Sequence, residues 1–191
     1  MTNKVVCIVG MAGSGKSIVS DELVKKGFAY LRFGQITLDE IKRRNLNVTA
    51  AVEKKIREGF RKRYGMGAFA ILNIPKIDEF LKKSDVVVDG LYSWTEYKIL
   101  KEKYEDSMVV MAVFASPKLR YGRLESRVVE NDPNRRFRPL TEKEAKERDY
   151  SEIENIEKGG PIAMADFTII NDGTIDKVKK EIGNVFKKIF K

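Results

Sequence analysis

The chain has 191 residues, a net charge of +9 at neutral pH and no histidine. This length predicts one domain with a sizeable core, and the lack of histidine excludes Ser–His–Asp triads and histidine metal sites. Cys7 is the only cysteine, so an internal disulfide is excluded and a reducing compartment is favoured. No apolar stretch approaches the roughly 20 residues of a membrane span and no signal-peptide pattern occurs, so we expect a cytoplasmic protein with no membrane partner.

The first predicted element is a buried strand, because residues 5–9 form an unbroken and largely β-branched apolar run. A glycine-rich loop follows it, and apolar residues at helical spacing then predict a helix. The loop matches G-x-x-x-x-G-K-[ST], in which backbone amides surround phosphate oxygens, the lysine reaches the β- and γ-phosphates, and the serine ligates Mg²⁺. We therefore expect ATP to be bound by Gly10, Met11, Ala12, Gly13, Ser14, Gly15, Lys16, Ser17 and Ile18.

Further along the chain, strands and helices are predicted to alternate. The strands lie at residues 28–33, 85–93, 107–115 and 167–172, and the helices at 37–44, 49–64, 66–83, 94–104, 116–130, 141–158 and from 175 onwards. Thr37 and Glu40 form a capping-box pattern, and Pro75 is expected to bend or divide its helix. The alternation predicts an α/β fold of the P-loop NTPase type, a three-layer α/β/α sandwich around a parallel sheet.

The last predicted helix carries an apolar stripe at steps of three and four residues, made by Ile175, Val178, Ile182, Val185 and Ile189. Such a stripe is more typical of a core-facing helix than of a partner surface.

Polar residues follow the predicted strands at the edge where ligands of such folds gather, beyond the carboxyl ends of the strands. Asp89 ends one apolar strand, and Asn171, Gly173 and Thr174 follow the last strand. Because Mg²⁺ is usually held by one carboxylate together with phosphate oxygens, Asp89 is a candidate metal or acceptor contact beside Ser17. The structural alternative is an ordinary turn aspartate before glycine.

Arginines form a further set of candidates, since guanidinium groups bind phosphate through two N–H donors and stabilise transferring charge. Arg120, Arg123 and Arg127 are spaced to share one face of the helix predicted over residues 116–130. The alternative is a set of surface arginines paired with nearby carboxylates. The loop residues Arg135, Arg136 and Arg138 are further candidates. The cluster Lys42, Arg43 and Arg44 either holds the phosphate of an acceptor or is the ordinary cationic end of a helix, where positive charge is favoured by the helix dipole.

The segments "GMAGSGKS", "VVVDGLYS", "FASPKLRYGRLESR", "ERD" and "IAMADFTIINDGTIDKV" occur in this order. With them the chain resembles the nucleoside-monophosphate-kinase branch of P-loop proteins, and in particular the adenylate-kinase-related, dephospho-CoA kinase-like archaeal proteins. The resemblance implies a single kinase-like domain over residues 1–191, with an acceptor-binding segment at about 34–83 and a lid at about 128–145. It also implies that Asp89 lies near Mg²⁺, that Arg123 and Arg127 flank the lid, and that residues 171–174 lie against adenine.

Two arginines of such kinases are missing, since Leu38 stands at one of their positions and residues 91–94 read Leu-Tyr-Ser-Trp at the other. Both would be acceptor contacts, so their absence disfavours a standard nucleoside monophosphate as the acceptor.

We accordingly expect a cytoplasmic small-molecule kinase that uses ATP and Mg²⁺, with Lys16, Asp89, Arg123 and Arg127 as catalytic residues. The expected acceptor bears a phosphate, as dephospho-CoA and nucleoside monophosphates do, and the protein is expected to be a monomer or homodimer. An alternative that suits the positive charge is an adenylate-kinase-like ATPase acting in RNA or ribosome assembly. A GTPase switch is disfavoured because no Asn-Lys-x-Asp sequence occurs.

Overall fold

A parallel sheet of five strands forms the centre of the computed structural model, which describes residues 3–128 and 139–190. The strands are β1 (Val5–Val9), β2 (Ala29–Arg32), β3 (Val86–Asp89), β4 (Met108–Phe114) and β5 (Phe167–Ile170). Their order across the sheet is β2-β3-β1-β4-β5, with parallel pairing throughout the described residues. The predicted fold class is therefore confirmed.

Helices connect the strands and cover both faces of the sheet. They are α1 (Lys16–Val24), α2 (Gln35–Arg43), α3 (Ala50–Tyr64), α4 (Ala68–Leu81), α5 (Trp94–Tyr104), α6 (Pro117–Glu125), α7 (Glu142–Ile156), α8 (Gly159–Ala163) and α9 (Ile175–Ile189). A single 3₁₀ turn, Glu105–Ser107, precedes β4. Within the described residues, no helix is both long and apolar enough to cross a membrane.

The central strand β1 is buried on both faces, which explains its unbroken apolar sequence. Its alternate residues Val5 and Cys7 belong to the core packed under α4 and α5, whereas Val6 and Ile8 belong to the core under α1 and α9. Burial raises the pKa of the Cys7 thiol, so this cysteine is a core residue with no nucleophilic character.

The apolar stripe of α9 is confirmed as part of the second core. Val178, Ile182 and Val185 are buried there, while Ile175 at the start of the helix is exposed.

Two local predictions, on Thr37 and on the end of α6, are wrong, and of the two alternatives given for Pro75 the structure excludes division of the helix. Thr37 does not cap a helix, because α2 already begins at Gln35 after Gly34, and the carboxylate of Glu40 pairs with Arg43 and Arg44. Pro75 does not divide α4, which continues as one helix because apolar residues on both sides of the proline, Phe69 and Ile77 among them, are buried. The helix predicted over residues 116–130 ends at Glu125.

The chain runs from β1 to β2 and β3 on one side of the sheet and then crosses to β4 and β5 on the other. The connections therefore diverge at β1, and ligands of open parallel sheets bind beyond the carboxyl ends of the strands at such a point. The glycine-rich loop lies there.

Candidate functional site

The shape of the glycine-rich loop is fixed by close packing against two other parts of the chain. Gly13 and Gly15 have φ angles of +78° and +98°. A Cβ at Gly13 would lie 2.7 Å from the carbonyl oxygen of Arg120, and one at Gly15 would lie 2.1 Å from Nδ2 of Asn171. Only glycine fits at these two positions, so the loop is held in its curved form by α6 and by the residue after β5.

Lys16 begins α1 and turns its ammonium group back over the loop. Its Nζ donates hydrogen bonds to the carbonyl oxygens of Gly10, at 2.9 Å, and Met11, at 3.1 Å. Burial, reinforced by the positive charge of Lys158, lowers the pKa of Lys16 to about 7. Since a nearby anion favours the charged form of a lysine, this group is suited to phosphate oxygens.

Lys16 and Ser17 face a cleft of about 590 Å³, and Asp89 lines the same cleft. The carboxylate arrives there because β1 and β3 are neighbours in register, with Ile8 opposite Asp89. Its Oδ2 accepts a hydrogen bond from the hydroxyl of Tyr30 at 2.8 Å. The structure thus brings together the predicted lysine, serine and aspartate.

These residues fit a magnesium–triphosphate ligand. The loop offers amides at the N-terminus of α1, and the buried hydroxyl of Ser14 has no hydrogen-bond partner among the described residues. No cluster of three or more acidic or cysteine side chains in the described ranges could hold a metal by itself. Ser17 and Asp89 would hold such an ion together with phosphate oxygens.

Arg120 supports the loop rather than facing the cleft. It is 4% exposed and forms a two-pronged ion pair with Asp149, at 3.0 and 2.6 Å. Its Nη1 also donates to the carbonyl oxygen of Ala12 at 3.0 Å, and its Nε to that of Ala115 at 3.1 Å. The sequence made this arginine a candidate phosphate contact, but its guanidinium binds the backbone and Asp149 instead.

Arg123 and Asn171 fasten the other side of the loop. Nη2 of Arg123 donates to the carbonyl oxygen of Asn171 at 3.0 Å, and Nδ2 of Asn171 donates to the carbonyl oxygen of Ser14 at 2.8 Å. Arg123 is not among the residues that line the cleft. Thr174 caps α9 through its hydroxyl, and neither it nor Gly173 lines the cleft, so their adenine contact stays a prediction.

Arg127 lies beyond the end of α6, so it does not share a helix face with Arg120 and Arg123. Its side chain nevertheless lines the cleft. Burial, with a smaller effect of the nearby Arg148, lowers its pKa. The loop arginines Arg135, Arg136 and Arg138, with most of the predicted lid, lie outside the described residues.

A charged cluster that the sequence did not indicate closes the cleft from the side of α7. Arg148 donates from Nε to Glu152 at 2.9 Å, and the buried Lys158 forms an ion pair with the same carboxylate. Burial opposes ionisation of Glu152, but Lys158 and Arg148 hold its pKa down at about 2. The ammonium of Lys158 also lies 4.6 Å from the ring centre of Tyr92, so the cluster connects α7 to the segment after β3.

Arg148 and Glu152 are one helical turn apart on a predicted helix, and that spacing was the available signal for their pairing. Nothing in the local sequence indicates that Lys158 is buried.

The wall opposite the loop comes mainly from the segment predicted to bind an acceptor, with Arg32 at the end of β2 and Glu96 in α5 beside it. The polar members of the wall are Arg32, Thr37, Glu53, Arg57, Arg61 and Glu96. Burial raises the pKa of Glu96 to about 6, although it accepts hydrogen bonds from the amides of Tyr92 and Ser93. The cluster Lys42, Arg43 and Arg44 does not line this cleft, and both of its arginines pair with Glu40.

Comparison with known proteins identifies the family. A family model described as an AAA domain (AAA_18) matches residues 6–157. A UPF0200 protein of Thermococcus gammatolerans is 34% identical over 189 residues, which cover 98% of this chain and 96% of that relative. The chain belongs to the UPF0200 family. The UPF0200 protein of Pyrococcus furiosus is 32% identical over 188 residues, with 97% of each chain covered.

Solved structures share the fold of this UPF0200 protein at low sequence identity. TT1252 from Thermus thermophilus has a TM-score of 0.64 at 16% identity, with 98% of both chains covered. A shikimate kinase from Acinetobacter baumannii in complex with shikimate has a TM-score of 0.57 at 14% identity, covering 99% of this chain and 94% of that one. The likeness confirms the P-loop kinase-like fold, whereas the kinship with adenylate kinase and dephospho-CoA kinase stays a prediction.

Proposed function

We propose that this UPF0200 protein is an ATP- and Mg²⁺-dependent phosphotransferase acting on a small anionic acceptor. The observation that supports the proposal most is that Lys16, Ser17 and Asp89 share one cleft with arginines from the opposite wall. Phosphoryl transfer depends on positioning and charge neutralisation more than on covalent catalysis, so it can proceed without the histidine that this chain lacks.

In this proposal the loop residues 10–17 bind the donor phosphates through their amides, and Lys16 contacts the β- and γ-phosphates. Asn171, Gly173 and Thr174 form the turn against adenine. Ser17 and Asp89 would hold Mg²⁺, which would supply charge neutralisation to the donor phosphates. The fixed curvature of the loop supports this assignment, since preorganised donors need no rearrangement during the reaction.

Charge on the transferring group is neutralised from the other side by Arg127 and Arg148, which both line the cleft. Arg148 is tethered to Glu152 yet partly exposed, so its guanidinium can contact phosphate while Lys158 still pairs with the carboxylate. Arg123 acts indirectly, by fixing Asn171.

For a hydroxyl acceptor, its oxygen forms a bond to the γ-phosphorus while the bond from that phosphorus to the β–γ bridging oxygen breaks. The hydroxyl proton passes to an oxygen of the transferred phosphoryl group, and ADP leaves, so that Asp89 keeps its role as the metal ligand.

The acceptors that the sequence resemblance favours are dephospho-CoA and nucleoside monophosphates. The test is transfer of labelled γ-phosphate from ATP to a panel of these and other anionic metabolites. We expect one acceptor to be labelled by the wild type, and transfer by Asp89→Asn to fall by roughly 100-fold or more. Asp106→Asn, a change at an exposed aspartate outside the cleft, is the matched control. Slow ATP hydrolysis with no labelled acceptor would contradict the proposal.

The second candidate is an ATPase that docks on RNA or a ribosomal particle. It is favoured by the exposed cations of α3 that lie outside the cleft, namely Lys54, Lys55, Lys62 and Arg63. RNA binding that weakens steeply with salt and changes with the bound nucleotide would support this candidate over the kinase.

A further inference from the structure

The wall of the cleft that faces the loop carries cations at two positions of α3. Arg57 and Arg61 are four residues apart, so they lie on one face of the helix, and both line the cleft. α2 contributes Thr37 to the same wall. Position 38 of α2 is leucine, so the cations of this wall come from α3 and from Arg32 rather than from α2.

Thr37 has a buried hydroxyl that finds no hydrogen-bond partner in the described part of the chain. The residue is 3% exposed, and its Oγ1 makes no hydrogen bond within the described structure. A threonine inside a helix commonly donates to the carbonyl oxygen four residues earlier, but that oxygen, on Phe33, instead accepts from Nδ2 of Asn73 at 3.1 Å. Buried hydroxyls are nearly always satisfied, so this one is placed for a ligand atom.

Arg61 provides a second unsatisfied donor. Its Nε is buried without a partner among residues 3–128 and 139–190, while its guanidinium lies 5.7 Å from the ring centre of Phe69. Arg57 is oriented by Glu53, which accepts from its Nη1 at 3.3 Å. The two guanidinium groups are thus held in place by neighbours that leave donors available.

The same wall offers little to a flat base. Phe69 is the aromatic residue that α2–α4 contribute to the cleft, and it is 4% exposed. Tyr92, the other aromatic residue lining the cleft in the described part of the chain, lies after β3, and the ammonium of Lys158 lies 4.6 Å from its ring centre. The ring of Phe69 packs edge-on against Phe60 and lies beneath Arg61. A base therefore finds no open aromatic face on which to stack along the α2–α4 wall.

We propose that Thr37, Arg57 and Arg61 form the acceptor subsite, which recognises a small hydroxylated molecule through one phosphate or carboxylate group and not through a base. The anionic group binds the two arginines of α3, and a polar atom of the acceptor accepts from or donates to the hydroxyl of Thr37. The inference rests on the proposed phosphotransferase function and adds to it the chemistry of the acceptor.

The test is calorimetric binding of four probes to the full chain, saturated with Mg²⁺ and a non-transferable ATP analogue. Ribose 5-phosphate carries a phosphate but no base, and AMP carries both. Adenosine carries the base without the phosphate, and gluconate carries a carboxylate in place of the phosphate. We expect ribose 5-phosphate and AMP to bind within about threefold of each other, and adenosine to bind at least about 100-fold more weakly, since the charged contacts dominate. Binding of gluconate without ribose 5-phosphate would assign the subsite to carboxylates.

Substitutions then test the residues. Arg57→Gln and Arg61→Gln should each lower the affinity for the anionic probe by roughly 10- to 100-fold. Thr37→Val, which keeps the side-chain shape, should lower that affinity by roughly fivefold. Arg63→Gln is the matched control, because Arg63 is an exposed arginine of the same helix outside the cleft.

Binding of the ATP analogue separates the two proposals. If the wild type binds the analogue but adenosine binds as tightly as AMP, or the arginine substitutions leave probe affinity unchanged, the acceptor subsite is refuted and the proposed function stands. If the wild type does not bind the analogue, the proposed function itself fails. Unchanged analogue affinity in the variants shows that they are folded.

Discussion

The buried ion pair between Arg120 and Asp149 leads to the most quantitative prediction. Both residues are nearly inaccessible, at 4% and 6% exposed, so Asp149→Ala leaves a guanidinium buried without its carboxylate. Removing one partner of such a pair costs about 3–5 kcal/mol. An unfolding entropy of about 2.1 cal/mol/K per residue gives about 0.4 kcal/mol/K for this chain, so Tm should fall by about 7–13 °C.

Differential scanning calorimetry measures this shift. Arg43→Gln, which breaks an exposed pair with Glu40, is the control and should change Tm by less than about 2 °C. A double variant, Arg120→Met with Asp149→Leu, should recover most of the stability because no charge is left buried. It should still bind Mg·ATP about tenfold more weakly, since Nη1 of Arg120 no longer holds the carbonyl of Ala12. If Asp149→Ala melted within 2 °C of the wild type, the supporting role of this pair would be refuted.

Three other predictions concern the loop and the core. Because the pKa of Lys16 is lowered from 10.5 to about 7, and an adjacent triphosphate restores the charge, Mg·ATP binding should take up about 0.9 proton at pH 8 and about 0.1 at pH 6. Calorimetry in buffers of different ionisation enthalpy measures this uptake, and equal values at both pH values would contradict the assignment. Gly15→Ala should weaken Mg·ATP binding by at least about tenfold, because its Cβ would meet Asn171 at 2.1 Å; Gly59→Ala, at a helical position with open space, should not. Ile182→Ala should destabilise the protein by about 2–5 kcal/mol, whereas Ile175→Ala at the exposed start of α9 should cost less than about 0.5 kcal/mol in chemical denaturation.

The features that the sequence predicted well are those set by neighbouring residues or by the geometry of a parallel sheet. The loop after β1 is recognisable because all of its functional atoms lie within eight residues. Asp89 reaches the cleft beside Lys16 because parallel strands end at the same edge. The structure brings these residues together, while their roles toward ATP and Mg²⁺ stay predictions.

The features that the sequence did not predict depend on contacts between distant segments. Lys158 is buried because Glu152 and Tyr92 surround it, and nothing in residues 155–161 signals that environment. Arg120 resembled its neighbours Arg123 and Arg127 in sequence, but the carboxylate of Asp149, 29 residues away, fixes it in the interior. The start of α2 was misplaced because a hydroxyl residue, Thr37, suggested a cap where Gly34 precedes the helix.

Every proposed role in the cleft requires that the loop after β1 and the ammonium of Lys16 bind the phosphates of ATP. Titration of Mg·ATP into the wild type and into Lys16→Ala in a calorimeter tests this binding most directly. We expect saturable heat with the wild type and a loss of affinity of at least about 100-fold in the variant. No heat with the wild type, or equal affinity in both proteins, would contradict this role of the loop and of Lys16.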